Sequence, residues 1–231
     1  MAQINATLID HMGNDLSVVN AARVSFGKTS EMDMSDPWGP PKLKEKDAKL
    51  IRYLAKHKHI SPFGHAFASF HVKAPIFVAR QLVKHKFLRI NEISRRYVDD
   101  EPEFYVPDVW RGRSADKKQG SSDEEVNVAY YDRDDGYNDW PTDVNSVALE
   151  AYQEMLKLGV APEQARMVLP QSTMTEWYWS GSLDALAAMC RLRYASDTQY
   201  ETRLVADNIS KKMSELFPVS WDALIKETKH D

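Results

Sequence analysis

Apolar residues recur along this chain first at helical and then at strand-like spacing. In MGNDLSVVNAARVSF (residues 12–26), Leu16, Val19, Ala22 and Phe26 follow a helical period behind Asn14 or Asp15 as N-cap. Residues 27–46 are rich in Gly, Pro and charge and read as a loop. From Asp47, DAKLIRYLAKHKH gives a second helix with Leu50, Ile51, Leu54 and Ala55 as its buried stripe. Ser61-Pro62 and Gly64 make a turn, and HAFASFHV alternates as a strand should. Pro75 suits the first position of a helix continuing through IFVARQLVKHK, with Ile76, Ala79, Leu82 and Val83 inward.

Periodicity is lost over residues 99–143, which mix acid, Gly, Pro and scattered aromatics. This stretch reads as an ordered but irregular excursion, with mobility expected at 112–125. A helix resumes at VNSVALEAYQEMLKLG (144–159) and stops at Gly159; a short one, APEQARMVLP, ends before Pro170. The β-branched and aromatic STMTEWYWS (172–180) predicts a second strand. Ser182 caps the helix SLDALAAMCRLR, and residues 197–218 form a long amphipathic helix, with Arg193 at the junction of the two. Helices dominate and the strands are not consecutive. The expected fold class is α+β: a small central, mostly antiparallel sheet flanked by helices, in one domain over 1–231 with an irregular insertion at about 99–143.

Composition narrows the function. With 231 residues, 43% apolar and 28% charged, the chain has the make-up of a soluble globular protein. Its net charge of −4 argues against a dedicated nucleic-acid binder, yet leaves room for a local basic pocket. No stretch reads as a signal peptide or membrane span, so a cytoplasmic location without a membrane partner is the expectation. Cys190, the sole cysteine, lies in the apolar run ALAAMC, so it reads as a buried, inert thiol and no intrachain disulfide is possible. Five of the seven histidines fall between His57 and His85, but no HExxH or other ligand spacing accompanies them, and no metal is expected.

The local basic pocket has an obvious source. Residues 80–97, RQLVKHKFLRINEISRRY, bring seven basic side chains together with Gln81, Asn91, Glu92, Ser94 and Tyr97. Arginine holds phosphate oxygens in a planar fork and lysine as a point charge, while Gln81 and Ser94 add neutral donors. Glu92 suits a ribose hydroxyl, or pairs with Arg89 or Arg96. Lys84 and Lys86 equally suit the C-terminal end of a helix dipole. Neither GxGxxG nor GxxxxGK[ST] occurs, so a nucleotide site here is assembled from side chains.

KHKFLRINEISRRY (84–97) resembles the signature of the flavin-dependent thymidylate synthases, an R-H-R followed after seven residues by serine within an N-E-x-S-x-R-Y core. His85, Asn91, Glu92, Ser94, Arg96 and Tyr97 match in register. The resemblance extends to MGNDLSVVNAARVSF, KHKHISPFGHAFASFHVKAPIFVARQ, ARMVLP and LRYASDTQYE, and so to most of the chain outside 27–46 and 99–143.

The resemblance implies methylation of dUMP to dTMP, with 5,10-methylenetetrahydrofolate as one-carbon donor, FAD as cofactor and NADPH as its reductant. It also implies a homotetramer with sites at subunit interfaces. By the same similarity Ser25, His59 and Ser61 touch the flavin, with His59 also near the folate. Lys84, His85 and Lys86 stand at the R-H-R positions that line the FAD phosphates and adenosine. Gln81, Glu92, Ser94, Arg96 and Arg166 cradle the phosphate and sugar of dUMP, with Glu92 and Arg193 also among the cofactor contacts. Arg193 reaches the uracil ring and helps to polarise it. Arg193, Ser94 and His59 are thus the catalytic candidates.

The chain departs from the family pattern at three places. Both arginines of R-H-R are lysines, which keep charge and lose the bidentate fork. Arg89 stands where a serine is common. Ser182 and Ala188 replace asparagines at two flavin-contacting positions. A serine nucleophile at Ser94 lacks a sequence-adjacent base, so phosphate anchoring is the expected role. The competing readings are a nucleic-acid or nucleotide-binding module, and a relative that binds dUMP without flavin catalysis.

Overall fold

The computed structural model describes residues 2–98, 100–115, 120–132 and 136–226. Its centre is a four-stranded sheet whose neighbours run β1 (Asn5–Met12), β2 (Phe67–Pro75), β8 (Met174–Ser182) and β3 (Leu88–Glu92), every pairing antiparallel. The α+β expectation holds.

β1 (Asn5–Met12) leads into α1 (Asp15–Arg23), where Asn14 and Ser17 form a reciprocal capping box. A 3-10 turn over Val24–Phe26 follows, and α2 spans Glu45–Lys56. The predicted turn is a 3-10 segment, Ser61–His65, before β2 (Phe67–Pro75) and α3 (Ile76–Leu82). Here the expected helix through Lys86 is corrected: α3 ends at Leu82, and Pro75 is its N-cap rather than its first helical residue. The chain must reverse at 83–87 to return as β3 (Leu88–Glu92) beside β8, and Phe87 makes that reversal with φ of 67°.

The excursion has more regular structure than its composition suggests. It contains the hairpins β4 (Arg111–Arg113) with β5 (Ser121–Glu125), and β6 (Ala129–Asp132) with β7 (Gly136–Asp139). The mobility expected at 112–125 falls partly on residues 116–119, outside the described residues; on either side of them β4 and β5 are paired.

α4 (Trp140–Lys157) begins four residues earlier than expected, because Asp139 caps it by accepting from the Thr142 amide at 3.0 Å. Gly159, at φ of 85°, ends it as predicted, and the Val160 amide donates to the Met155 carbonyl at 2.9 Å. α5 (Pro162–Ala165) passes into a 3-10 turn, Arg166–Val168. β8 (Met174–Ser182), α6 (Leu183–Arg193) and α7 (Tyr200–Leu216) match their predicted segments closely. α8 (Pro218–Lys226) extends past the last predicted helix.

The core forms where the inward residues of β2 (Ala68, Phe70, Val72, Ala74) and β8 (Trp177, Trp179) meet α1, α3, α6 and α7. The opposite face of these strands is polar: Ser69 and Ser180 share a hydrogen bond of 2.8 Å, and His71 lies 3.1 Å from Glu176. Asp15 ties the two ends of the chain together, accepting from the Val219 and Ser220 amides at 2.9 Å each and so capping α8. Cys190 is fully buried and burial raises its thiol pKa, in keeping with an inert thiol.

Candidate active site

β8 is the spine on which the candidate residues are hung. Its central position lets β3 lie on one side, so that Leu88 pairs with Gly181 and Glu92 with Trp177. Gly181 leaves room for the Leu88 side chain, which a Cβ at this position would force to move. The turn 83–87 then carries Lys84, His85 and Lys86 past the C-terminal end of α6, where Arg193 is the last helical residue.

Arg193 is held by two hydrogen bonds. Its Nε donates to Nε2 of His85 at 3.1 Å and its Nη2 to the Gln81 carbonyl at 2.7 Å. Burial lowers its pKa without removing its charge. Burial, and then the charge of Arg193, pull the pKa of His85 down to about 4, so its imidazole is neutral and Nε2 is free to accept. The Gln81 side chain is fixed as well, donating to Gln199 Oε1 and accepting from Thr202 Oγ1 at 3.3 Å. Gln81, Lys84, Arg193, Asp197, Thr198 and Gln199 line a pocket of about 420 Å³, within the range of small-molecule sites.

His85 and Lys86 border a second pocket, of about 330 Å³, lined as well by Ile60, Phe87, Ala185 and Ala188. His59 and Ser61 flank Ile60 and are exposed. The Phe87 ring is 85% exposed, offering an aromatic face next to the Lys86 cation. An aromatic ring, cations and an apolar floor are a chemistry that fits a flavin dinucleotide. Ser25 lies exposed in the 3-10 turn after α1 and is not among the residues that line this pocket.

Glu92, Ser94 and Arg96 follow one another at the end of β3. Thr175 Oγ1 donates to Glu92 Oε1 at 2.6 Å, and Arg96 Nε donates to Ser94 Oγ at 3.2 Å. Arg166 stands apart. Its guanidinium is exposed, and its Nε donates to the Glu163 carbonyl at 3.2 Å rather than to any other candidate. The fold therefore joins Gln81, Lys84 and Arg193 around one pocket, with His85 bonded to Arg193 from the neighbouring pocket, and leaves Glu92–Arg96 and Arg166 outside.

Several partners had no individual signal in the sequence. Thr175 meets Glu92 only through cross-strand pairing, and Gln199 and Thr202 reach Gln81 only because α7 packs against α3. Among the described residues, no group of three His, Cys, Asp or Glu side chains is close enough to hold a metal ion.

A family model described as thymidylate synthase complementing protein matches residues 7–219. The chain belongs to the flavin-dependent thymidylate synthase family. Members of that name from Thermus thermophilus and Thermosipho africanus are 40% and 39% identical, over 220 and 222 residues. These alignments cover 94% and 95% of this chain, and 73% and 90% of the two relatives. A solved UMP/dUMP methylase, PolB from Streptomyces cacaoi bound with 5-Br dUMP, superposes with a TM-score of 0.76 at 33% identity, covering 96% of this chain and 95% of that one. Family membership agrees with the signature at 84–97 and with the α+β fold.

Proposed function

We propose that the protein methylates dUMP to dTMP, taking the one-carbon unit from 5,10-methylenetetrahydrofolate and using FAD reduced by NADPH. The observation that carries this reading is the pocket in which Arg193, immobilised by His85 and Gln81, stands beside Lys84. When bound, the flavin supplies the redox chemistry that the side chains lack.

Arg193 binds the uracil edge and stabilises the negative charge that develops there. Its donors are already oriented, so little reorganisation opposes the reaction. Neutral His85 contributes by fixing that orientation and by lining the flavin side of the turn with Lys84 and Lys86. Gln81, Ser94, Arg96 and Arg166 hold the phosphate, and Glu92, oriented by Thr175, accepts from the sugar. His59, Ser61 and Ser25 face the flavin and folate. Binding the pyrimidine against the cofactor supplies proximity.

The reading includes a homotetramer in one cytoplasmic domain with the 99–143 insertion. Its support is the separation of Arg166 from the Arg193 pocket. Arg166 is followed by Met167 and Val168, 74% and 39% exposed, and this turn packs on α4, which exposes Val144 and Val147. Such an apolar rim suits a neighbouring subunit, which brings Arg166 to another copy's site. No helix among the described residues is long and apolar enough to cross a membrane.

The test is colour and turnover. Purified protein reconstituted with FAD should bleach with NADPH and, given the folate and dUMP, yield dTMP by chromatography. UMP belongs in the same assay, because the PolB relative is named for both nucleotides. Protein that never takes up FAD, yet binds dUMP, would establish the non-catalytic alternative.

A further inference from the structure

Gln81 holds two side chains at once. Its main-chain carbonyl accepts from Nη2 of Arg193 at 2.7 Å, and its side-chain Nε2 donates to Oε1 of Gln199. Both partners line the same pocket of about 420 Å³. Buried Thr202 fixes which way round the two amides stand. Its Oγ1 donates to Oε1 of Gln81 at 3.3 Å, which turns Nε2 of Gln81 toward Gln199. Gln199 must answer with its oxygen. Its own Nε2 is left with two N–H donors and no protein partner among the described residues.

The loop that carries Gln199 is held on both sides. Gln199 is the N-cap of α7, and its carbonyl accepts from the Thr202 and Arg203 amides at 3.1 and 3.2 Å. Thr198 Oγ1 donates to the Leu192 carbonyl at 3.3 Å, and Arg203 Nη2 to the Ala195 carbonyl at 3.2 Å. From the excursion, Gly120 approaches so closely that a Cβ there would meet Cα and the carbonyl oxygen of Asp197 at 3.3 Å. Its φ of 88° suits glycine as well. The free amide donors of Gln199 are therefore preorganised beside the Arg193 cation.

Uracil and cytosine differ in what they offer such a pair. Uracil has a carbonyl acceptor at position 4, where cytosine has an amino donor. C5, the carbon methylated in the proposed reaction, is conjugated with the O4 carbonyl, so charge gathered at C5 is shared with O4. Two fixed donors, one of them a cation, suit that oxygen and leave an amino group in its place without an acceptor.

We propose that Gln199 is a specificity-determining residue: its Nε2 donates, beside Arg193, to O4 of the uracil ring and so selects dUMP over dCMP. The inference rests on the proposed methylation of dUMP. It makes Gln81 the scaffold of both donors, Thr202 the residue that orients them, and Gly120 the brace of their loop.

The test is the affinity of FAD-loaded protein for dUMP by calorimetry, with dCMP measured as a competitor. Gln199→Glu keeps the acceptor for Gln81 and replaces the free donor with an oxygen. It should weaken dUMP about tenfold or more and lower the preference for dUMP over dCMP by about tenfold or more. The added charge acts on both nucleotides alike and cancels in that ratio. Thr202→Val removes the donor that orients the amides and should lower the same preference by a smaller factor, a second reading should Gln199→Glu misfold. A purely structural role for Gln199 would weaken both nucleotides equally. An unchanged preference in the folded variants therefore overturns the proposal, as does dUMP binding to Gln199→Glu as tightly as to wild type. Failure of the wild-type protein to bind or methylate dUMP would sink the proposed function instead, and is read without any variant.

Discussion

Arg193 and His85 lie 108 positions apart in sequence, yet Nε of the arginine donates to Nε2 of the histidine at 3.1 Å. Two independently recognisable blocks, the basic turn and the end of α6, are thereby joined in one device. His85→Leu removes the acceptor and should lower turnover about tenfold or more, the usual worth of a hydrogen bond to a charged group. His85→Gln offers an amide oxygen near the same place and should recover part of that loss. Steady-state kinetics with saturating dUMP separates the two; equal activity of Leu, Gln and wild type would remove His85 from this role.

The same pair sets a pH dependence of stability. His85 titrates near 4 when folded, against 6.5 for an unperturbed histidine. The unfolded chain therefore binds the proton more readily between these values, and the sign follows: the contribution is complete above about 6.5 and is lost as pH falls toward 4. Denaturant midpoints over this range should fall more steeply in wild type than in His85→Gln. An NMR titration placing the imidazole near 6.5 would contradict the arrangement.

Ser94 offers a choice between anchor and nucleophile. Its hydroxyl accepts from Arg96, and no base bonds to it among the described residues. As an anchor, Ser94→Ala should raise the KM for dUMP by about tenfold and leave kcat within a small factor. Loss of all turnover with dUMP binding intact would restore the nucleophile.

The family departures fall on the side proposed to hold the flavin. Lys84 and Lys86 keep charge but not the planar fork, so Lys84→Arg with Lys86→Arg should tighten FAD binding, measured by fluorescence quenching. Arg89 pairs with Ser180 in β3, an alternate strand position from Leu88, and its side chain is exposed. If Arg89 substitutes for a lost phosphate contact, Arg89→Ala weakens FAD; unchanged affinity rejects that compensation.

Stability depends on a buried ion pair near the candidate flavin contacts. Asp47 is fully buried and bonded to Arg23 and Ser30. Burial raises its pKa, but the hydrogen bonds from Ser30 and Arg23 and the Arg23 charge outweigh this and hold it below the usual range. Arg23→Ala strands the carboxylate and should cost about 3–5 kcal/mol of folding stability, read as a lowered denaturation midpoint. A variant as stable as wild type would show that the pair contributes little.

Most helices were legible because their signals are local. Asn14 and Ser17 cap α1, Gly159 ends α4, and the apolar stripe of α2 repeats within twelve residues. β1 and β3 were not legible, since each buries one residue, Ala6 or Leu88, and a strand with one inward side chain has no alternation to read. The end of α3 failed for a related reason. VKHK can continue a helix, and only the need to place β3 against β8 forces the turn at Phe87.

By itself the sequence determined most of the helices, though neither α8 nor the end of α3, together with the basic stretch 80–97 and the family signature within it, because capping, periodicity and charge act over a few residues. Only the tertiary structure decided which of those charges meet. Packing brought His85 to Arg193, Thr175 to Glu92 and Arg111 to Tyr200, and left Arg166 apart. These contacts follow from strand order and helix packing, which depend on the burial of the whole core and on no single motif.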